Sequence, residues 1–144
     1  MANKAYPKGK KHLVTDVNLE TDSFKVVLID TGAYSFDESH EFLSSIASGA
    51  RVAVSPTLTS PTVTLVVDPG EDYMVWDADD TVFSAVPASQ PTAEAYAVYK
   101  DTGSAATSPL LFFIDRDASN NVISIIPNGG DLNLAFPDGI TRIG

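Results

Sequence analysis

The chain has 144 residues, 44% of them hydrophobic, and a formal net charge of −10 at pH 7, which is typical of a single globular domain that buries its own core. It contains no cysteine, so disulfides, thiolate metal sites and cysteine nucleophiles are excluded. No apolar run approaches the roughly 20 residues that span a bilayer, and no apolar segment follows the basic N-terminus as in a signal peptide. We therefore expect a soluble protein with no membrane partner.

The positive charge is concentrated at the N-terminus. Four of the nine basic residues lie within the first eleven positions, namely Lys4, Lys8, Lys10 and Lys11. The remaining five basic residues are outnumbered by nineteen acidic ones, so the body of the protein repels a phosphate backbone and we expect no direct nucleic-acid partner. We predict that residues 1–12 form an extended basic arm and residues 13–144 one β-sandwich domain. The arm is either a solvated tail or an element that docks on an acidic neighbour.

Most of the chain has the composition of short strands. Residues 13–19 fit either a short strand or a helical turn. Downstream, segments rich in β-branched and aromatic residues recur about every 8–12 residues, separated by Gly, Pro, Asn and Asp. The predicted strands lie within residues 24–30, 51–55, 57–68, 81–86, 93–100, 109–115, 122–126, 132–136 and 140–143. Pro61 indicates an edge strand or a bend within the third of these segments.

One segment has the pattern of a helix. Ser35 and Glu38 have the spacing of a capping box, and the apolar residues Phe42 and Ile46 follow at helical spacing. We predict a short helix over residues 39–47 that covers one end of a sandwich. The predicted fold class is therefore all-β, an antiparallel β-sandwich or flattened barrel of about nine short strands with one short helix.

Two predicted strands in the second half of the chain are apolar on both faces. Residues 93–100 and 109–115 have the composition of strands in a sheet that is covered on both sides, and we predict that they pair. The loop between them, residues 101–108, consists of small residues that cannot form a core of their own. This arrangement favours a scaffold that presents a surface over a catalytic pocket. The loop and the basic arm supply the candidate partner contacts: Lys4, Lys8, Lys10, Lys11, Thr102, Gly103, Ser104 and Ala105.

The acidic residues are candidates for metal binding or catalysis. Asp77, Asp79 and Asp80 supply the oxygen ligands that Ca²⁺ prefers. However, Asp at strand ends is ordinary turn chemistry, and no glycine occupies the position that an EF-hand loop requires. A glycoside hydrolase needs a pair of carboxylates facing a cleft, yet most of the nineteen acidic residues fall in turns. We favour a solvated turn and predict no metal site.

The remaining polar motifs do not indicate catalysis. His12 and His40 are the two histidines, and a zinc site needs further nitrogen or sulfur ligands. No G-x-S-x-G motif supplies an activated serine. Residues 127–131 form a strong turn signal without the lysine and following helix of a phosphate-binding loop. We therefore predict a protein that is not an enzyme and has no cofactor.

Six phrases of the sequence resemble a family of small structural proteins of tailed-bacteriophage particles. They lie within residues 25–30, 39–46, 49–53, 77–83, 98–110 and 127–131. The most specific is residues 98–110, VYKDTGSAATSPL. The chain departs from the family at residues 121–126, which are longer and more apolar than expected. It also ends in Ile143-Gly144, where an aromatic residue or leucine is expected.

The resemblance implies a non-enzymatic virion protein, best matched by a capsid decoration (cement) protein that binds the outer capsid lattice. Its partner would be the major capsid protein. It would form a homo-oligomer. We expect a trimer because such proteins often occupy symmetry axes of the lattice. It would lie on the capsid surface, and in the host cytoplasm during assembly. Two alternatives remain open: a tail, neck or fibre-base subunit, and a virion-surface carbohydrate-binding module that stacks sugars on Trp76 and Tyr73. Core or interface packing of these two aromatic residues is favoured over stacking.

Overall fold

A computed structural model describes residues 3–143 of the chain. Within them, the chain forms three antiparallel sheets and one short α-helix. The elements are β1 (Lys4–Ala5), α1 (Pro7–Thr15), β2 (Phe24–Ile29), β3 (Arg51–Val54), β4 (Thr62–Asp68), β5 (Glu71–Asp77), β6 (Thr81–Phe83), β7 (Ala95–Lys100), β8 (Leu110–Ile114), β9 (Leu132–Leu134) and β10 (Thr141–Ile143). The prediction of an all-β fold is confirmed, and the sheets do not close into a barrel.

A five-stranded sheet with the order β1-β8-β7-β2-β3 forms the centre of the molecule. Every residue of β8 is buried, and so is every residue of β7 except Lys100. The two strands pair antiparallel, with Tyr96 opposite Ile114 and Ala97 opposite Phe113. The predicted pairing of two strands buried on both faces is confirmed, because apolar side chains at every position require cover on both sides of the sheet.

Two hydrophobic clusters cover the two faces of this sheet. The first lies between the central sheet and the smaller sheets, where the Trp76 ring meets Phe24 edge to face at 4.9 Å and Phe112 at 5.8 Å. The second lies beneath the irregular segment 31–50, which contributes Tyr34, Leu43 and Ile46. One face is therefore covered by sheets, as in a sandwich, and the other by a loop.

The second sheet, of order β10-β5-β4, is built on a long hairpin. β4 and β5 are seven residues each and pair along their whole length, from Thr62 opposite Asp77 to Asp68 opposite Glu71. Pro69 and Gly70 form the turn between them, and Gly70 adopts a φ of +93° that favours glycine. The strand character of residues 71–77 was missed, since its turn residues and acidic flank resemble a connection.

The predicted helix over residues 39–47 is wrong. The chain has an extended residue at Phe42, followed by single 3₁₀ turns at Leu43–Ser45 and Ser48–Ala50. Phe42 bridges to Pro109, and the Leu43 amide donates to the Ser108 carbonyl at 2.9 Å. These contacts with Ser108 and Pro109, just before β8, replace the bonds that a helix would make within itself. Tertiary pairing therefore overrides the local helical pattern.

The extended basic arm predicted for residues 1–12 is also wrong within the described residues. Lys4–Ala5 is a strand paired with β8, Tyr6 is fully buried, and Pro7–Thr15 is a helix. Pro7 at the first helical position is pre-set for this conformation. Gly9 lies against the Leu110 carbonyl so closely that a Cβ atom would overlap it. The segment therefore covers the edge of β8, which would otherwise be open to association.

The last part of the chain is irregular where a strand was predicted. Residues 122–126 form only isolated bridges, Arg116 with Val122 and Ala93 with Ile125. The strand predicted in residues 132–136 is present as β9, and its alternation holds: Leu132 is buried and Asn133 is exposed. β9 pairs with β6 in a two-stranded sheet that covers the first cluster.

Candidate partner-binding surfaces

The four N-terminal lysines, here called the lysine face, are exposed and pair with no acidic residue of the described range 3–143. Three of them lie on α1 and Lys4 lies on β1, with its ammonium 4.9 Å over the Phe36 ring. No salt bridge within residues 3–143 involves any of the four, whereas Lys25 pairs with Asp101 at 3.2 Å and Lys100 with Asp22 at 3.1 Å. The lysine face is made up of Lys4, Lys8, Lys10 and Lys11.

The position of these lysines on the helix is unfavourable for stability. Lys8 and Lys10 lie in the first turn of α1, which contains no acidic residue. The N-terminus of a helix carries partial positive charge, so cations there are destabilising by a few tenths of a kcal/mol each. Residues that destabilise their own helix and make no internal contact in return are typical of a functional surface.

His12 ties α1 to the rest of the protein. Its Nδ1 lies 2.8 Å from an Asp16 carboxylate oxygen, and its Nε2 lies 3.0 Å from a carboxylate oxygen of Glu41. Both ring nitrogens donate only in the imidazolium form, which satisfies both carboxylates at once. The hydrogen bond from His12 lowers the pKa of Asp16. The helix that carries the lysine face is therefore anchored and does not move as a free tail.

The loop of residues 101–108 is ordered by its own hydroxyl groups. Ser108 Oγ donates to the Ser104 carbonyl at 2.7 Å, and the Thr102 amide donates to Ser108 Oγ at 3.1 Å. Gly103 donates its amide to Asp101 at 3.1 Å. Thr102, Gly103 and Ser104 are exposed, while Ala105 is half-buried against the second cluster. A loop ordered in advance loses less conformational entropy when a partner binds.

One intervening segment links the loop to the helix. The Ser44 amide donates to the Ala105 carbonyl at 3.0 Å, and the Leu110 amide donates to the Glu41 carbonyl at 2.8 Å. Since Glu41 also contacts His12 through its carboxylate, α1, residues 41–44 and the loop are neighbours in that order. Residues 41–44 thus lie between the helix, which carries three of the predicted contact lysines, and the loop.

The acidic turn is occupied by the protein's own donors. Asp77 Oδ1 accepts from the Ala78 amide, Asp79 Oδ2 from the Thr59 hydroxyl, and Asp80 Oδ1 from the Phe136 amide at 2.8 Å. No group of three or more potential metal ligands occurs in the described residues. The bonds made by these carboxylates are those of strand ends, as the solvated-turn interpretation predicts.

Trp76 cannot serve as a carbohydrate platform. It is fully buried, and its indole N–H donates to the Leu19 carbonyl at 3.0 Å. The stacking pair of Trp76 and Tyr73 is therefore wrong, and the favoured alternative of core packing is correct for Trp76. Tyr73 is half-buried and stacks under the Arg142 guanidinium at 4.3 Å.

His40 belongs to a buried polar chain. Its Nδ1 lies 2.8 Å from the Tyr34 hydroxyl, which in turn lies 2.9 Å from the Tyr6 hydroxyl. Burial raises the pKa of both tyrosines, so both hydroxyl groups stay protonated at neutral pH. It links the N-terminal segment to the loop above the second cluster, which is a structural role.

The apolar surface of the β4–β5 hairpin was not predicted. Leu65 and Met74 are opposite one another, and with Val67 they lie on one face of the hairpin. They are 66%, 38% and 68% exposed. The alternation of Val63, Leu65 and Val67 was the available signal, since residues two apart share a face, but it indicates burial as readily as exposure.

No protein-family model matches the chain, and no curated protein is significantly similar to it. Among the described residues, no helix has both the length and the apolar character to cross a membrane.

Proposed function

We propose that this protein is a non-enzymatic structural protein of a bacteriophage particle, and that it acts as a capsid decoration protein on the outer capsid lattice. The resemblance of residues 98–110 to small virion proteins supports the class. The partner is the major capsid protein, and the protein is located on the capsid surface after assembly in the host cytoplasm. It binds as a homo-oligomer, and a trimer would match a symmetry axis of the capsid lattice.

The lysine face is the single structural observation that carries the proposal. The protein has a net charge of −10, yet four lysines on one anchored segment have no acidic partner within residues 3–143. Their ammonium groups are available for carboxylates on a neighbouring protein, which guide association and fix orientation. The ordered loop of residues 101–108 supplies a small-residue surface that allows close backbone approach.

Decoration stabilises a capsid by adding interface area between its subunits. Each bound copy that contacts two capsid subunits must be released before those subunits separate, so its binding free energy adds to the cohesion of the lattice. An anchored helix and an ordered loop suit this role, because little ordering free energy is lost on binding.

Binding to capsids tests the proposal. Purified protein is added to emptied, expanded capsids of the encoding phage that lack it, and bound copies are counted after sedimentation. We expect saturable binding with a copy number near that of the major capsid protein. A few copies per particle would instead support a tail, neck or fibre-base subunit, and no binding to any particle would contradict a virion role.

A further inference from the structure

One groove of the described residues is lined by none of the four lysines of the lysine face. It has a volume of about 1210 Å³ and lies between the irregular segment 116–125 and the segment 133–142. Its apolar lining includes Ile114, Ile123, Leu134 and Phe136. The size exceeds that of a typical small-molecule pocket, which is about 300–1,000 Å³, and suits a segment of chain.

One wall of the groove is an unpaired strand edge. β9 pairs with β6 along one side only. Residues of β9, including Asn133 and Leu134, line the groove, whereas those of β6 do not. β9 therefore borders the groove, and within the described residues no strand pairs with its other side. Such an edge is a template for an added strand, whose backbone supplies the missing hydrogen bonds.

A tyrosine without a side-chain hydrogen bond to another described residue lines the groove. Tyr96 is 6% exposed and lines the groove. Its hydroxyl makes no hydrogen bond to another described residue, in contrast to Tyr6 and Tyr34, which bond to one another. Burial raises the pKa of Tyr96, so the hydroxyl remains a donor at neutral pH. An acceptor group of an occupant can take a hydrogen bond from this hydroxyl.

Two arginines of the groove have no ion pair within residues 3–143. Arg116 and Arg142 both line it, and no salt bridge involves either. Asp117 and Asp138 line the groove as well, but the Asp117 carboxylate accepts from the amides of Ser119 and Asn121 at 2.9 Å. The Arg142 guanidinium also stacks on the Tyr73 ring at 4.3 Å. Guanidinium groups without an ion pair match carboxylates in two-pronged geometry, which favours an occupant that carries carboxylates.

We propose that this groove binds an extended, acidic segment of a partner protein, which adds as a strand to the free edge of β9. Its carboxylates contact Arg116 and Arg142, an acceptor group takes the hydrogen bond from Tyr96, and its alternate apolar side chains pack on Ile123 and Phe136. The inference does not depend on the capsid proposal, because it rests on a different surface and applies to any acidic partner.

The test uses a fluorescein-labelled octapeptide of alternating valine and glutamate, titrated with the full-length protein by fluorescence polarisation. We expect saturable binding below about 1 mM and no binding of the matched peptide with lysine in place of glutamate. Arg116→Gln with Arg142→Gln should weaken binding by about tenfold or more, and Tyr96→Phe by about threefold to tenfold.

The matched control is Lys8→Gln with Lys11→Gln, which removes the same charge outside the groove and should leave the affinity unchanged. A variant keeps the fold if its melting temperature lies within about 2 °C of that of the unmodified protein. If the double variant unfolds because Arg142 is needed for stability, Arg116→Gln alone provides the test. Equal loss in the control, equal binding of the lysine peptide, or no saturation below 1 mM would overturn the proposal. Displacement of the peptide by laurate would also overturn it, in favour of a fatty carboxylate.

Discussion

The central sheet and the β4–β5 hairpin differ in how far their apolar side chains are buried. All five residues of β8 are buried, whereas Leu65 and Val67 on β4 are 66% and 68% exposed. Both regions have the composition of strands, but the first is covered on both faces and the second is largely free. The comparison indicates that stability is concentrated in the central sheet and that the outer elements are available for association.

Truncation of a central side chain should produce the largest effect. Leu111 is fully buried in the first cluster, so Leu111→Ala should lower the free energy of unfolding by about 2–5 kcal/mol through lost burial and the cavity that remains. The matched variant Leu65→Ala should change it by less than about 0.5 kcal/mol. Urea denaturation measures both. Equal losses would show that the hairpin contributes as much to stability as the central sheet, contrary to the comparison.

A smaller effect is expected where α1 meets the central sheet. A Cβ at Gly9 would overlap the Leu110 carbonyl, so Gly9→Ala should displace the helix and cost about 1–3 kcal/mol, despite the higher helix propensity of alanine. Gly49→Ala is the control, since a Cβ there meets nothing within 4 Å. Thermal unfolding compares the two variants. A Gly9→Ala protein as stable as the control would mean that the N-terminal segment does not pack as described.

Local sequence patterns predict the parts of this fold that depend on local composition. The runs at residues 93–100 and 109–115 are apolar at every position, and this property alone requires a strand covered on both sides. The turn at Pro69-Gly70 follows from turn chemistry in the same way. In each case the information lies within a few adjacent residues.

The errors occur where distant segments meet. Residues 39–47 have helical spacing, but their backbone groups bond to Ser108 and Ala105. The N-terminal segment has the composition of a tail, but a buried Tyr6 and a close contact at Gly9 hold it on β8. The loop of residues 101–108 was correctly selected as exposed at Thr102, Gly103 and Ser104, because small polar residues cannot form a core.

The groove could not be recognised from the sequence. Tyr96, Arg116 and Arg142 are separated by 20 or more positions along the chain, and each is unremarkable in its own segment. Only the fold shows that they line one groove and that neither arginine has an ion pair within residues 3–143. The charge of the lysine face is likewise visible in the sequence, but the position of Lys8, Lys10 and Lys11 on a helix is not.

The binding of a lysine-face variant to capsids tests the account most directly. Lys8→Gln with Lys10→Gln and Lys11→Gln should weaken capsid binding by about tenfold or more, with a melting temperature within about 2 °C of the unmodified protein. The control Ser84→Asp with Ser89→Asp and Gln90→Glu, which shifts the net charge equally at exposed positions outside the lysine face, should bind normally. Undiminished binding of the lysine variant, or equal weakening in the control, would contradict the assignment of partner contacts to the lysine face.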